Sequence, residues 1–342
     1  MLAAVSAGIG ALTKGFSSMD LLGTDAHRRG RFARAPHKMT WLGWKDVLYR
    51  TWSEAWDDRL LSVAAGVAFF AILALAPGLS VLISLYGLFS APSQIEGQLA
   101  PLFTLLPATA VELIMEQARR IASTPNDHLS VGLLTGLAIA LWSANAGMKA
   151  LFEALNVIYE EEEKRSFFKL NAVSLFVTFS AVVFLILTMA LIAVVPIVIK
   201  YSPFSQATDQ LIAWLRWPVF FVVATLAIAA LYWIGPSRRR ARFLWVMPGA
   251  ALAALLWAAV SGGFSYYVST LGNYQATYGS LSAVIVFLTW LWLSATVILL
   301  GAELNSELEH QTARDTTRGA PKPLGARGAT LADRIGPAVA EE

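Results

Sequence analysis

Asn145, Lys149 and Glu153 follow one another at four-residue intervals, with Asn156 three further on. On an α-helix that spacing places all four on one face. They lie at the end of an uncharged run from Leu129 to Met148, so the face belongs to the end of a membrane-crossing helix. Ionisable groups in such a position point to a bundle interior or a wet path, and they mark where a polar group is handled. The chemistry on offer is hydrogen bonding and charge pairing. A local alternative is that Lys149 reaches back to the interface and pairs with Glu153. Glu303 and Arg59 are expected near the same depth, which suggests an Arg59/Lys149/Glu303 cluster at one mouth of the bundle. The alternative for Glu303 is a simple interfacial carboxylate.

Pro77-Gly78 falls mid-way along another apolar segment. Proline removes a helical N–H and crowds the preceding turn, so a hinge is expected there. Broken helices at mid-depth often mark binding sites in transporters. Gly132, Gly136 and Gly147, with Ala140 and Ser143, form a stripe of small residues that suits close helix packing. Tyr266, Tyr267, Tyr274 and Tyr278 fit an aromatic belt at a membrane surface.

No catalytic constellation appears beside these. His27, His37, His128 and His310 are scattered, with no metal-ligand spacing. There is no Gly-x-Ser-x-Gly and no phosphate-binding glycine loop with lysine. The chain contains 0 cysteines, which excludes disulfides and thiolate chemistry. The sequence thus predicts neither an enzyme nor a bound metal or cofactor.

The elements that must position these residues are membrane helices. The 342 residues are 56% apolar and only 14% charged, a balance that suits lipid as solvent. A backbone crossing hydrocarbon must pair its own N–H and C=O groups, and a helix of about 20 residues does so. Uncharged runs place spans at about 61–89, 130–150, 171–199, 212–234, 246–269 and 280–304. The last two share one uncharged stretch, divided at Gly272-Asn273-Tyr274-Gln275, where glycine and asparagine favour a turn. Lys and Arg gather in alternate segments: the N-terminal region up to Arg59, then Lys164, Arg165 and Lys169, then Arg238 to Arg242, and finally the C-terminal tail. By the positive-inside rule this requires an even number of spans with both termini cytoplasmic. The expected fold is all-α, a polytopic membrane protein of six spans.

Outside the spans, residues 1–39 and 311–342 have compositions that predict disorder. Residues 40–58 predict an amphipathic helix whose face of Trp41, Trp44, Trp52 and Trp56 either lies in the headgroup plane or packs on the bundle. The loop 91–128 predicts two short external helices.

Several stretches resemble the YihY/BrkB family of bacterial inner-membrane proteins. They are Ala64-Ala65-Gly66-Val67-Ala68-Phe69-Phe70 with Leu75-Ala76-Pro77, Ala154-Leu155-Asn156-Val157-Ile158-Tyr159 leading to Lys164-Arg165-Ser166-Phe167, and Pro248-Gly249-Ala250. Tyr274 to Leu281 and Leu300-Gly301-Ala302-Glu303-Leu304-Asn305 complete the set. Ile234-Gly235-Pro236 departs from the family pattern. The resemblance implies six spans and an inner-membrane location. It also carries two labels, ribonuclease BN, which implies tRNA processing, and virulence or serum resistance. A nuclease of that kind needs clustered metal ligands or an acid–base pair, and the sequence displays neither. The leading expectation is transport or envelope maintenance acting on a lipid or other amphiphile, with a membrane scaffold as the alternative. Expected partners are membrane lipids; a homo-oligomer is left open, and no nucleic acid is expected.

Overall fold

The computed structural model describes residues 25–87, 131–200, 206–270 and 278–339. The expected external helices at 91–128, residues 1–24, the turn at 272–275 with Tyr274, and the side chains of Pro77, Gly78, Gly132 and Gly136 lie outside the described residues.

A short helix, α1 (Trp41–Asp57), precedes six long ones: α2 (Leu60–Gly87), α3 (Val131–Ile158), α4 (Phe167–Lys200), α5 (Gln206–Ile234), α6 (Phe243–Thr270) and α7 (Ser282–Gln311). Thr40 caps α1, its hydroxyl accepting the Gly43 N–H at 3.2 Å. Arg59 adopts φ +52° and turns the chain from α1 into α2. The backbone of α2 continues through Pro77-Gly78 without a break. Four stretches are long and apolar enough to cross a membrane, Phe167–Phe184, Trp217–Ile234, Phe243–Thr270 and Ser282–Gln311, and Leu60–Ala74 is a shorter apolar one. No strand forms among the described residues, apart from a single antiparallel bridge between Ala241 and Thr317.

The helices neighbour one another in the order α4, α3, α2, α7, α6, α5. Small residues govern the tightest contacts. Ala250, Ala253, Ala295, Leu299 and Ala302 bury the α6–α7 crossing, and Leu60, Ala64, Ala154 and Leu155 bury the α2–α3 crossing. At the first crossing Asn305 acts as a clamp. Its Oδ1 accepts the Gly249 N–H at 2.8 Å, and its Nδ2 donates to the Val246 carbonyl at 2.9 Å.

α1 lies against the end of α7. Its inward face is Gly43, Asp46, Val47, Arg50 and Thr51, and its outward face carries Trp41, Trp52 and Trp56 at 79%, 64% and 58% exposure. Trp44 alone of the four tryptophans packs inward, near Val47, Trp245, Leu304 and Leu308. The polar side of this amphipathic helix is therefore the buried one.

Residues 25–39 and 312–339 are ordered, contrary to the disorder that composition predicts. Arg31 donates to the Gly336 carbonyl at 3.2 Å, the Ala313 N–H reaches the Arg31 carbonyl at 2.7 Å, and the Gly336 N–H reaches the His310 carbonyl at 2.9 Å. Arg327, 2% exposed, is surrounded by the carbonyls of Ala313, Arg314 and Ala332. Disorder in such compositions follows from too little apolar surface to bury. Here hydrogen bonds to carbonyls and carboxylates of other segments hold the tails instead. The two tails meet on the face that also carries the α3–α4 and α5–α6 connections.

Candidate polar site between α3 and α4

α3 and α4 pack side by side, and their facing sides carry polar groups. Lys149 Nζ donates to Asn171 Oδ1 at 3.1 Å, and Asn145 Nδ2 donates to the same oxygen at 3.2 Å. Asn171 is fixed in turn by donating to the Phe167 carbonyl, one turn earlier on α4, at 2.8 Å. The ammonium of Lys149 also sits 5.4 Å from the centroid of the Trp142 ring, a cation–π distance. Trp142 is 61% exposed on the outside of the helix pair.

Three features leave this cluster chemically open. Lys149 has three N–H donors, one of which Asn171 takes, and no carboxylate pairs with it among the described residues. Asn145 is fully buried, yet its Oδ1 has no hydrogen-bond partner. The buried Thr178 hydroxyl, two turns further along α4 from Asn171, has none either. A buried polar atom left unpaired costs about 1–3 kcal/mol, so the arrangement is suited to a ligand that brings its own acceptors and donors. An amine and amides grouped beside an exposed tryptophan fit an anionic or polar head group with an apolar tail.

The remaining residues singled out from sequence go elsewhere. Glu153 is exposed and makes no ion pair with Lys149. Asn156 is buried and ties two connections together: its Oδ1 accepts the Ser237 N–H at 2.7 Å and its Nδ2 donates to Glu163 at 3.2 Å. Arg59 is exposed. Glu303 is 1% exposed, accepts from Ser306 Oγ at 3.3 Å, and leaves Oε2 without a partner. No hydrogen bond or ion pair joins Arg59, Lys149 and Glu303 among the described residues. Gly147 lies against α2, where an added Cβ would sit 3.5 Å from the Phe70 carbonyl oxygen.

Sequence reading missed Asn171, although a lone asparagine entering an apolar run is itself a signal. It also missed the ion pairs beneath the tails. Arg50 meets Glu307 at 2.5 Å, Arg29 meets Asp46 at 2.7 Å, and Arg238 meets Glu309 at 2.7 Å, all with buried side chains. Glu309 also accepts from Thr316 at 2.8 Å, and Arg238 lies 4.0 Å over the Tyr159 ring. The pairs join segments up to 257 residues apart, a separation that local spacing does not register.

Among the acidic groups on this face that lie outside the apolar helices and have displaced titrations, two are moved furthest. Burial works against the charge of Glu163, but hydrogen bonds from the Arg165 side chain and N–H outweigh it and hold the group at about 2. Burial, reinforced by the charges of Glu54, Glu160, Asp57 and Glu307, pushes Asp58 up from 3.8 to about 6. A carboxyl whose folded pKa is raised adds stability at low pH and loses it as pH rises through the folded value. Acidifying from pH 7.5 to pH 5 is therefore expected to raise the melting temperature in detergent, a window (~5 to 7.5) chosen to straddle the Asp58 titration. Asp58→Asn should flatten that rise, and a variant with the wild-type slope would show that Asp58 is not its source.

The sequence matches the family described as virulence factor BrkB over residues 51–324. It is 38% identical over 253 residues to the ribonuclease-like protein YfkH of Bacillus subtilis (strain 168), covering 72% of this chain and 89% of that one. It is 30% identical over 283 residues to a UPF0761 membrane protein of Alkalilimnicola ehrlichii, covering 78% of this chain and 61% of the relative's length. A UPF0761 membrane protein of Pseudoalteromonas translucida is 27% identical over 263 residues, 76% of this chain and 85% of the relative. No solved structure matches.

Proposed function

This chain belongs to the virulence factor BrkB family of membrane proteins, and we propose that it binds the polar head of a lipid or other amphiphile between α3 and α4 in the service of transport or envelope maintenance. One observation carries the reading: Lys149 is held between Asn171 and Trp142 with no acidic partner among the described residues. An ammonium at the end of an apolar run is costly unless it serves an anion or a path. The unpaired Asn145 Oδ1 beside it supplies an acceptor for a hydroxyl or amine of the same head group.

Six spans, with both termini in the cytoplasm of a bacterial inner membrane, belong to the same proposal. Support comes from the meeting of the described ends: Arg29 Nη1 donates to the Val339 carbonyl at 3.3 Å, and the Val339 N–H donates to Asp46 at 3.1 Å. Ends on one face require an even number of crossings, and that face carries Arg238 to Arg242, as the positive-inside rule asks. In this placement the outward Trp41, Trp52 and Trp56 of α1 lie in the headgroup plane.

Native mass spectrometry of the gently solubilised protein tests the head-group site. Wild type should retain a defined lipid, and Lys149→Ala should retain it about tenfold less, the equivalent of one lost charged contact. An identical lipid complement in wild type and a normally folded Lys149→Ala protein would refute the reading. The ribonuclease-like name of the Bacillus relative supplies the competing reading, and cleavage of tRNA precursors by the purified protein with a divalent metal would favour it. A protein recovered in fixed stoichiometry by crosslinking would favour a scaffold.

A further inference from the structure

A second cluster of positive charge lies at the α5–α6 connection, and the proposed lipid path does not involve it. The antiparallel bridge pairs Ala241 with Thr317. Pairing of that kind sets Arg240 directly across from Arg318, and the Arg318 N–H donates to the Arg240 carbonyl at 2.9 Å. Cross-strand opposites point to the same face. Both guanidinium groups rest on one ring, that of Trp233, with their carbons 4.3 Å and 5.9 Å from its centroid. Arg242, the next residue on the same face of the bridge, spends its Nε on the Thr317 carbonyl at 3.3 Å.

Like charges directly opposite one another destabilise a strand pair, and no carboxylate relieves this one among the described residues. The nearby acids are engaged elsewhere. Glu309 is held by Arg238 and Thr316, and Asp315 accepts from Thr317 and the Lys322 N–H and lies 3.9 Å from Arg239. Trp233 cannot swing away to separate the pair, because its Nε1 donates to the Ala241 carbonyl at 2.9 Å. Two exposed guanidinium groups are thus held side by side on a fixed aromatic platform.

We infer that Arg240 and Arg318 form a binding site for the phosphate of an anionic phospholipid head group, seated on Trp233. Guanidinium groups bind phosphate oxygens in bidentate fashion, and one phosphodiester would neutralise the repulsion that the bridge creates. The surroundings favour a lipid source. Trp233 is at the end of α5, a helix apolar enough to cross the membrane, and tryptophan prefers that interfacial depth. Phe243 and Leu244, the first residues of α6, are 43% and 51% exposed directly after Arg242, apolar surface on which an acyl chain can lie. The inner leaflet carries its anionic lipids at this level.

The test uses the full chain in neutral detergent, with native mass spectrometry at equal mole fractions of phosphatidylglycerol and phosphatidylcholine. Wild type should retain phosphatidylglycerol about tenfold over phosphatidylcholine, and Arg240→Gln/Arg318→Gln should lose that preference without a fall in melting temperature. Arg240→Lys/Arg318→Lys should keep part of it. The single variant Arg318→Gln, altered at an exposed side chain, repeats the comparison if the double variant folds poorly. Running the series in the Lys149→Ala background separates the two sites, because this preference should survive there. An unchanged preference in the glutamine variants would overturn the inference. So would release of the lipid by millimolar inorganic phosphate alone, which points to a soluble anion. Binding of an RNA oligonucleotide that the glutamine variants abolish while keeping phosphatidylglycerol would assign the arginines to nucleic acid instead.

Discussion

Arg50→Ala is expected to lower folding stability by about 3–5 kcal/mol, the usual loss when one partner of a buried ion pair is removed. The side chains of Arg50 and Glu307 are 5% and 2% exposed and meet at 2.5 Å. The guanidinium also donates to Gln311 Oε1 at 2.8 Å and to the Pro337 carbonyl at 2.8 Å. Alanine would leave Glu307 buried with only His310, at 3.3 Å, as a side-chain partner. It would also remove the Pro337 contact to α1, leaving the Val339 N–H on Asp46 to hold the last residues of the tail there. Two readouts check this: the unfolding midpoint in detergent, and the rate at which protease cuts within 312–339. Both should worsen together. Arg50→Met/Glu307→Leu should recover most of the loss, because no orphaned charge then remains. A single variant with a wild-type midpoint would mean that the pair does not hold α1 to α7.

Gly249→Val is expected to be nearly as damaging, at the upper end of the ~1–3 kcal/mol typical of overpacking and beyond it if the helices separate. A Cβ on Gly249 would run into the Gly301 carbonyl oxygen and come within 2.6 Å of the Asn305 amide. A carbonyl in a packed helix cannot give way as a flexible side chain can. The reciprocal position is equally closed, since a Cβ on Gly301 would lie 2.7 Å from Ala253 Cβ and from the Tyr232 hydroxyl. The same substitution at Gly262, where an added Cβ meets nothing within 4 Å, should leave stability close to wild type. Comparing the folded yield and unfolding midpoint of the two variants checks the prediction. Equal behaviour would contradict a close α6–α7 crossing.

The Gly249 contact also shows what the sequence makes legible. Pro248-Gly249-Ala250 and Gly301-Ala302-Glu303-Leu304-Asn305 stand out as motifs, but nothing local says that they are two sides of one contact. The long helices follow from uncharged runs because lipid forbids an unpaired backbone. Their ends do not follow so directly: the uncharged run of α3 stops at Met148, whereas the helix continues to Ile158. That extension separates Lys149, which meets Asn171, from Asn156, which serves the connections. Spacing on one helix face could not make this distinction, because the partners come from α4 in one case and from Ser237 and Glu163 in the other. Composition misleads at the tails for a related reason. It registers apolar content, and their order comes from arginines bonded to carbonyls and carboxylates far along the chain.

The site between α3 and α4 is tested most directly by placing a photoreactive amino acid at Trp142 in otherwise wild-type protein and irradiating intact cells. Trp142 is exposed beside Lys149, so a molecule seated on the ammonium would lie within reach. The expected product is a covalent adduct whose mass is that of a lipid or other amphiphile, strongly reduced when Lys149 is also changed to alanine. An adduct to a protein, or a lipid adduct indifferent to Lys149, would contradict a head-group site there.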